Sequence, residues 1–140
     1  MTVYIVACGK EKAQFRMQAK DMYTGSYFKS CLKYALEFGD KVFILSAKYG
    51  LLELDDFISP YDLVMGDEGS VTIDIVKEQA MNLGISGNVI ILGGKKYLDF
   101  FKKIWQDITC PLSGGLLHQI SWMNQQVDIQ NKKRQLELWK

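Results

Sequence analysis

This chain has one histidine and three cysteines among its 140 residues. A tetrahedral zinc site would need Cys8, Cys31, Cys110 and His118 to converge from four distant segments, and no two cysteines have C-x-x-C spacing. No metal and no cofactor is expected. The odd number of thiols argues against a disulfide framework and for a reducing compartment. An excess of one charge is also missing: 17 Lys and Arg against 16 Asp and Glu leave a formal net charge of +1. No global field therefore draws in nucleic acid or an acidic membrane. A basic face would have to be local, at Lys95, Lys96, Lys102 and Lys103 or at Lys132-Lys133-Arg134, and both groups read equally as solvated helix faces. No apolar run reaches membrane-spanning length, and the opening MTVYIVACGK is too short and too strand-like for a signal peptide. These absences point to a cytoplasmic protein with no membrane partner. The standard phosphate loops are absent as well: neither G-x-x-x-x-G-K-[ST] nor G-x-G-x-x-G occurs.

What is present suits one α/β domain over residues 1–140. Apolar residues make up 48% of the chain, enough for a core that needs no covalent staples. Three continuous apolar runs end at a break: Val3-Tyr4-Ile5-Val6-Ala7 at Cys8-Gly9, Lys41-Val42-Phe43-Ile44-Leu45 at Ser46, and Asn88-Val89-Ile90-Ile91-Leu92 at Gly93-Gly94. Continuous rather than alternating runs are what strands buried on both faces of a parallel sheet require. Asp107-Ile108-Thr109-Cys110, stopped by Pro111, is a weaker fourth candidate. Helical spacing fills the gaps. Residues 26–38 run from a Ser26 cap to Gly39, residues 72–82 stop at Gly84, and residues 95–105 carry Leu98, Phe101 and Trp105. Residues 116–139 form a long final helix with a polar tail that either frays or sits on a partner, such as a second copy in a homo-oligomer. The alternation predicts a small open, mainly parallel four-stranded sheet with helices on both faces, Rossmann-like in kind.

In such a sheet ligands bind outside the carboxyl ends of the strands. The first exit, Cys8-Gly9-Lys10 with Lys12 beyond it, combines a tight backbone turn with positive charge and so can hold an anion. It reads as well as an ordinary strand exit with surface lysines. Cys8 is a candidate nucleophile, but no histidine lies near it in sequence, and a buried structural thiol is the plainer reading. Gly93-Gly94-Lys95 opens a helix whose free amides attract phosphate or carboxylate, unless the glycines only allow close helix–sheet packing. Ser113-Gly114-Gly115 leads into another helix with His118 one turn in, which is either a ligand contact or a surface residue. At the second exit, Ser46-Ala47-Lys48-Tyr49-Gly50 precedes an acidic stretch through Asp55, Asp56, Tyr61, Asp62 and Asp67 with no clean helical or strand period. Flat rings at Tyr23, Tyr49 and Tyr61 can sandwich a base. A carboxylate at Asp21 or Asp62 can assist water or stabilise a ribosyl cation. Bracing of a long loop by Asx turns and tyrosine hydroxyls explains the same residues without a ligand.

The pieces Tyr23-Thr24-Gly25 with Phe28, then Leu45 through Leu52, then Asp55, Pro60-Tyr61 and Met65-Gly66, and finally Leu92 through Tyr97, keep an order and approximate spacing that resembles the YaaA-like superfamily of peroxide stress response proteins. The resemblance covers residues 1–101 and is to a short, uncharacterised branch. It implies an α/β fold, a cytoplasmic setting, a link to DNA, and a phage or mobile-element origin. Two features depart from the larger members. The chain is much shorter than they are, and its first strand ends in Cys8-Gly9-Lys10 instead of a Ser-Pro-Ala-Lys type turn. Pro-Leu-Ser after the last strand is similar to uracil-DNA glycosylases at the level of fold, without their water-activating motif.

The expected function is thus a nucleotide or nucleobase ligand held at the strand ends, with cleavage or transfer at an N-glycosidic bond. Lys10, Lys48 and Lys95 would hold phosphate, Tyr49 and Tyr61 would stack the base, and Asp21 or Asp62 would serve the chemistry. The alternative is a non-catalytic DNA- or nucleotide-binding protein acting through a host partner.

Overall fold

A computed structural model of the chain describes residues 1–139. The order is β1 (Thr2–Ala7), β2 (Met17–Gln18), α1 (Ala19–Met22), α2 (Ser26–Phe38), β3 (Lys41–Ser46), β4 (Gly50–Glu53), β5 (Phe57–Ile58), α3 (Ile73–Asn82), β6 (Asn88–Leu92), α4 (Lys95–Lys102) and α5 (Leu116–Leu138). One open sheet runs β4-β3-β1-β6, and β2 and β5 form a separate two-stranded ladder. In the main sheet β1 is parallel to both neighbours, with Ile5 opposite Phe43 on one side and Ile91 on the other.

Alternate residues of β1 serve two cores. Val3 and Ile5 pack with Phe43, Leu45, Val89 and Ile91 against Val76 and Ala80 of α3 and Phe101 of α4. Tyr4 and Val6 pack with Ile44 and Leu92 against Cys31 and Ala35 of α2 and Met123 and Val127 of α5. That two-sided burial is why the strands read as unbroken apolar runs. Ile5, Ile44, Leu45, Ile91 and Leu92 are completely buried, and each contributes roughly 1.5–3 kcal/mol. The sheet core therefore outweighs any single helix cap.

The caps mark the ends as expected, with one change. Thr72 Oγ1 accepts from the Ile75 N–H at 3.3 Å. Gly39 closes α2, its N–H donating to Ala35 O, and a Cβ there would come within 2.7 Å of the Tyr4 ring. Ser26 is the first helical residue of α2, and Gly25 takes the cap position.

The fourth strand differs from expectation. Asp107-Ile108-Thr109-Cys110 makes only a single parallel bridge, Thr109 to Ile90, because Pro111 follows at once and has no N–H to extend a ladder. The fourth place is taken by β4, antiparallel to β3 with Ser46 opposite Gly50. The chain can fold straight back because Gly50 adopts φ 77°, a left-handed conformation that glycine enters without a Cβ clash. The sheet is therefore mostly parallel with one antiparallel pair. The stretch read as aperiodic after Gly50 contains two short strands, β4 and β5.

Among the described residues no helix is long and apolar enough to cross a membrane. The 23-residue α5 packs on α2, and Arg134 pairs with Glu37. Leu136, Leu138 and Trp139 stand exposed at its end.

Candidate ligand site at the strand ends

The centre of the site is Ser46, the last residue of β3 and wholly buried. Its Oγ accepts from the Lys48 N–H at 3.1 Å and from the Tyr49 N–H at 3.0 Å. A serine oxygen has two lone pairs and one hydrogen. Both lone pairs being engaged, the hydrogen goes to the Tyr61 hydroxyl, 2.9 Å away. Tyr61 and Tyr23 share a further hydrogen bond of 2.7 Å between their hydroxyls. Tyr49 stands edge-on to Tyr61 at 5.8 Å between ring centres, and Tyr23 stands edge-on at 6.5 Å. The Lys12 ammonium lies 4.5 Å from the Tyr61 ring centre, within cation–π range.

On the β1 side the Cys8 N–H donates to Leu45 O, so the thiol emerges beside the end of β3. Its sulfur lies 3.8 Å from the Tyr97 hydroxyl of α4. The β6 exit approaches equally closely: a Cβ on Gly93 would fall 2.7 Å from the Ala7 Cβ. Cys8, Tyr23, Ser46, Tyr61 and Tyr97 thus converge from five segments of chain.

Burial keeps the phenols neutral. It pushes Tyr23 up to about 12, against hydrogen bonds with Tyr61 and Ser46 that pull the other way. Burial raises Tyr61 further, reinforced by the nearby Cys8 and Tyr23. Tyr97 is raised by burial and then by Cys8. The site consequently offers hydroxyl hydrogens and acceptor oxygens at neutral pH and carries no fixed negative charge at its centre.

The other expected residues lie around this cluster. Gly9 is half-buried, with a Cβ position 3.6 Å from the Phe28 Cβ. Gly94 faces open space at the start of α4. Lys10, Lys48 and Lys95 are exposed, and the Lys48 ammonium sits 5.3 Å from the Tyr49 ring centre. Asp21 is exposed on α1, and Asp62 is exposed next to Tyr61. No carboxylate among the described residues bonds to the cluster. Ser113 and His118 are set apart, lining a small cavity of about 110 Å³ with Pro111, Leu112, Gln119 and Trp122. Among the described residues no three His, Cys, Asp or Glu side chains are grouped to hold a metal.

The acidic stretch reaches the strand ends through Tyr61. Its aspartates make local turns: Asp56 Oδ2 accepts from the Glu53 N–H, and Asp67 Oδ2 from the Val64 N–H. Two grooves lie to either side. One of about 530 Å³ follows the outer edge of β4 past Arg16, Tyr49, Phe57 and Gln79. Another of about 290 Å³ separates Met65 and Val71 from Lys96, Phe100 and Lys103 of α4. Between them, Tyr61 itself occupies the space at the strand exits.

Tyr97 was not among the expected ligand residues. It reads as one more ring on an amphipathic helix, and only its position four residues after Gly93 hints that it turns back to the sheet.

The segments that build this cluster fall within residues 3–125, which match a family of unknown function, DUF6884. The chain belongs to that family. It is also 32% identical over 140 residues to the uncharacterised protein YfjM of Bacillus subtilis (strain 168), with 89% of this chain and 93% of YfjM covered. The DUF6884 match takes in every strand exit and stops inside α5, before the exposed Leu136, Leu138 and Trp139.

Proposed function

We propose that the protein binds a nucleotide or nucleobase at the carboxyl ends of β1, β3 and β6, in the manner of a Rossmann-like site and in a cytoplasmic setting. The observation that carries this reading is the convergence of Cys8, Tyr23, Ser46, Tyr61 and Tyr97 on one point flanked by two glycine exits. Neutral hydroxyls suit the edge of a base, and a flat ring such as Tyr49 suits its face. The open amide end of α4 at Gly94, and Lys10 and Lys12 beyond the β1 exit, suit a phosphate. A YaaA-like relationship, as the sequence motifs suggest it, would imply a nucleic-acid connection.

The enzymatic form of the reading is cleavage or transfer at an N-glycosidic bond, with Asp62 supplying the carboxylate from beside Tyr61. The non-catalytic form is favoured by one feature: no carboxylate touches the cluster. In that form the exposed Leu136, Leu138 and Trp139 give the protein an apolar surface for a partner or a second copy.

Titration of the protein with nucleobases, nucleosides and mononucleotides, followed by amide chemical shifts, tests the binding. Saturable shifts at Gly9, Ser46, Gly93 and Gly94 are expected. Shifts confined to the β4 groove or to the cavity at Trp122 would reject the assignment. Mass spectrometry over the same ligands and a panel of modified DNA separates the two forms: released base supports the enzyme, and binding without turnover supports the non-catalytic protein.

A further inference from the structure

The Tyr61 ring sits where a ligand would have to go, and its attachment is unusual. Residues 59–63 make no backbone-to-backbone hydrogen bond to the other described residues. The segment is held instead by side-chain hydroxyls: Tyr49 donates to Ser59 O at 3.3 Å, and Tyr61 bonds to Ser46 and Tyr23. The ladder of β5 with β2 anchors one end, and Val71 N–H to Ala47 O anchors the other. Tyr61 is also only half-buried.

We propose that Tyr61 is a built-in stand-in for the ligand: a six-membered ring bearing an exocyclic carbonyl oxygen displaces it and takes over its contacts. The inference rests on the nucleobase reading above and narrows it to bases that carry a ring oxo group.

Ser46 Oγ has both lone pairs occupied by the Lys48 and Tyr49 amides, so towards Tyr61 it acts only as a donor. Tyr23, whose hydroxyl bonds to Tyr61 and also lies within the hydrogen-bonding influence of Ser46, has a hydrogen to give as well. A phenol brings a hydrogen of its own to that point, so three hydroxyl hydrogens surround two hydrogen bonds. A carbonyl oxygen brings none and has two lone pairs, one for each donor. It completes the arrangement better than the tyrosine that now fills it. The rest of the seat suits a flat ring: Lys12 covers one face at 4.5 Å, and Tyr49 and Tyr23 present their rings edge-on. A base with only an exocyclic amine would meet two donors with a third and is rejected, because unmatched buried polar groups are costly.

The test uses Tyr61→Gly, which removes the stand-in, and Tyr61→Phe, which keeps the ring but loses its two hydrogen bonds. Uracil, adenine and p-cresol are titrated into each variant and into the wild-type protein, with circular dichroism confirming the fold. Removing the competitor should tighten uracil binding roughly tenfold or more in Tyr61→Gly, the scale of one or two hydrogen bonds. In Tyr61→Phe a smaller gain of several-fold is expected. p-Cresol, the tyrosine side chain itself, should bind Tyr61→Gly and compete with uracil there. Adenine should gain nothing. Equal gains for uracil and adenine, or folded variants that bind uracil no tighter than the wild type, overturn the proposal. Should Tyr61→Gly fail to fold, an unchanged uracil affinity in Tyr61→Phe overturns it alone. Wild-type shifts at Gly9 and Gly94 with nucleotides, together with such a failure, would leave the nucleotide site standing and remove only the role of Tyr61.

Discussion

The Gln79 side chain of α3 accepts from the Leu51 N–H at 2.8 Å, across the free edge of β4. Its other end donates to Tyr49 O at 2.9 Å, so one carboxamide bonds the backbone on both sides of Gly50. A helix side chain thereby does for β4 what a neighbouring strand would do, and it covers part of an edge that could otherwise recruit another chain. Gln79→Ala leaves both backbone groups without their partners, at an expected cost of about 1–3 kcal/mol. Urea unfolding measures it. A loss below about 0.5 kcal/mol would show that water replaces the amide without penalty. Gly50→Ala should be as damaging, because its Cβ would overlap the Gln79 amide and its φ of 77° disfavours any side chain.

Gly93 and Ala7 test how closely β6 and β1 must approach at the site. Gly93→Ala places two Cβ atoms 2.7 Å apart, with the Tyr97 ring at 3.4 Å. Overpacking of this kind costs about 1–3 kcal/mol. Ala7→Gly in the same chain should restore much of it, even though glycine within a strand costs about 0.5–1 kcal/mol by itself. A double-mutant cycle should therefore show a favourable coupling of about 1 kcal/mol. Strictly additive effects would mean that the contact with Tyr97 is the one that matters.

Ser46→Ala removes the acceptor for two amides and the donor to Tyr61 in one step. The expected loss is about 1–3 kcal/mol, together with weaker anchoring of residues 59–63. Thermal unfolding reports the first. Hydrogen exchange and line widths at Tyr61 report the second. A variant that melts lower while the Tyr61 signals stay sharp would show that packing, not the hydroxyl, holds the ring.

Alkaline pH should loosen the same cluster. Burial raises Tyr23 from 10.0 to about 12, and it raises Tyr61 and Tyr97 as well. Below pH 10 each phenol is protonated whether folded or not, and the stabilisation is fully present. Between pH 10 and 12 the unfolded chain releases protons that folded Tyr23 retains, so stability falls with rising pH. Denaturation at stepped pH should show this decline, and Tyr23→Phe should make it shallower. Equal slopes for the variant and the wild type would assign the effect to other tyrosines.

Much of the architecture was legible because it is written in local periodicity. β1, β3 and β6 are bounded by the glycine and serine breaks of the chain, and α2 and α3 follow their apolar spacing and their stops at Gly39 and Gly84. β4, β2 and β5 were not legible because their partners are distant. Two residues of β2 become a strand only by meeting Phe57 and Ile58, and the edge of β4 depends on Gln79. The site divides the same way. Ser46, Tyr23, Tyr61 and Cys8 could be chosen by residue type at a strand exit, but the hydroxyl bonds joining them arise only from the fold. Tyr61 read as a ring for stacking; that its hydroxyl is tied to Ser46 and Tyr23 came only with the fold.

The small β2–β5 ladder has a further consequence. It pairs Met17 with Ile58 and Gln18 with Phe57, while Ala19 N–H and Lys20 N–H donate to Asp56 O and Leu54 O. The stretch carrying Lys12 and the stretch carrying Tyr61 are therefore sewn together a few residues from the site. Lys12 is also bridged to Tyr23, with Ala13 N–H donating to Met22 O and Thr24 N–H to Glu11 O. The seam therefore cross-braces the cation, the tyrosine beside Ser46 and the foot of the Tyr61 segment, and their amide protons should exchange together as one cooperative unit.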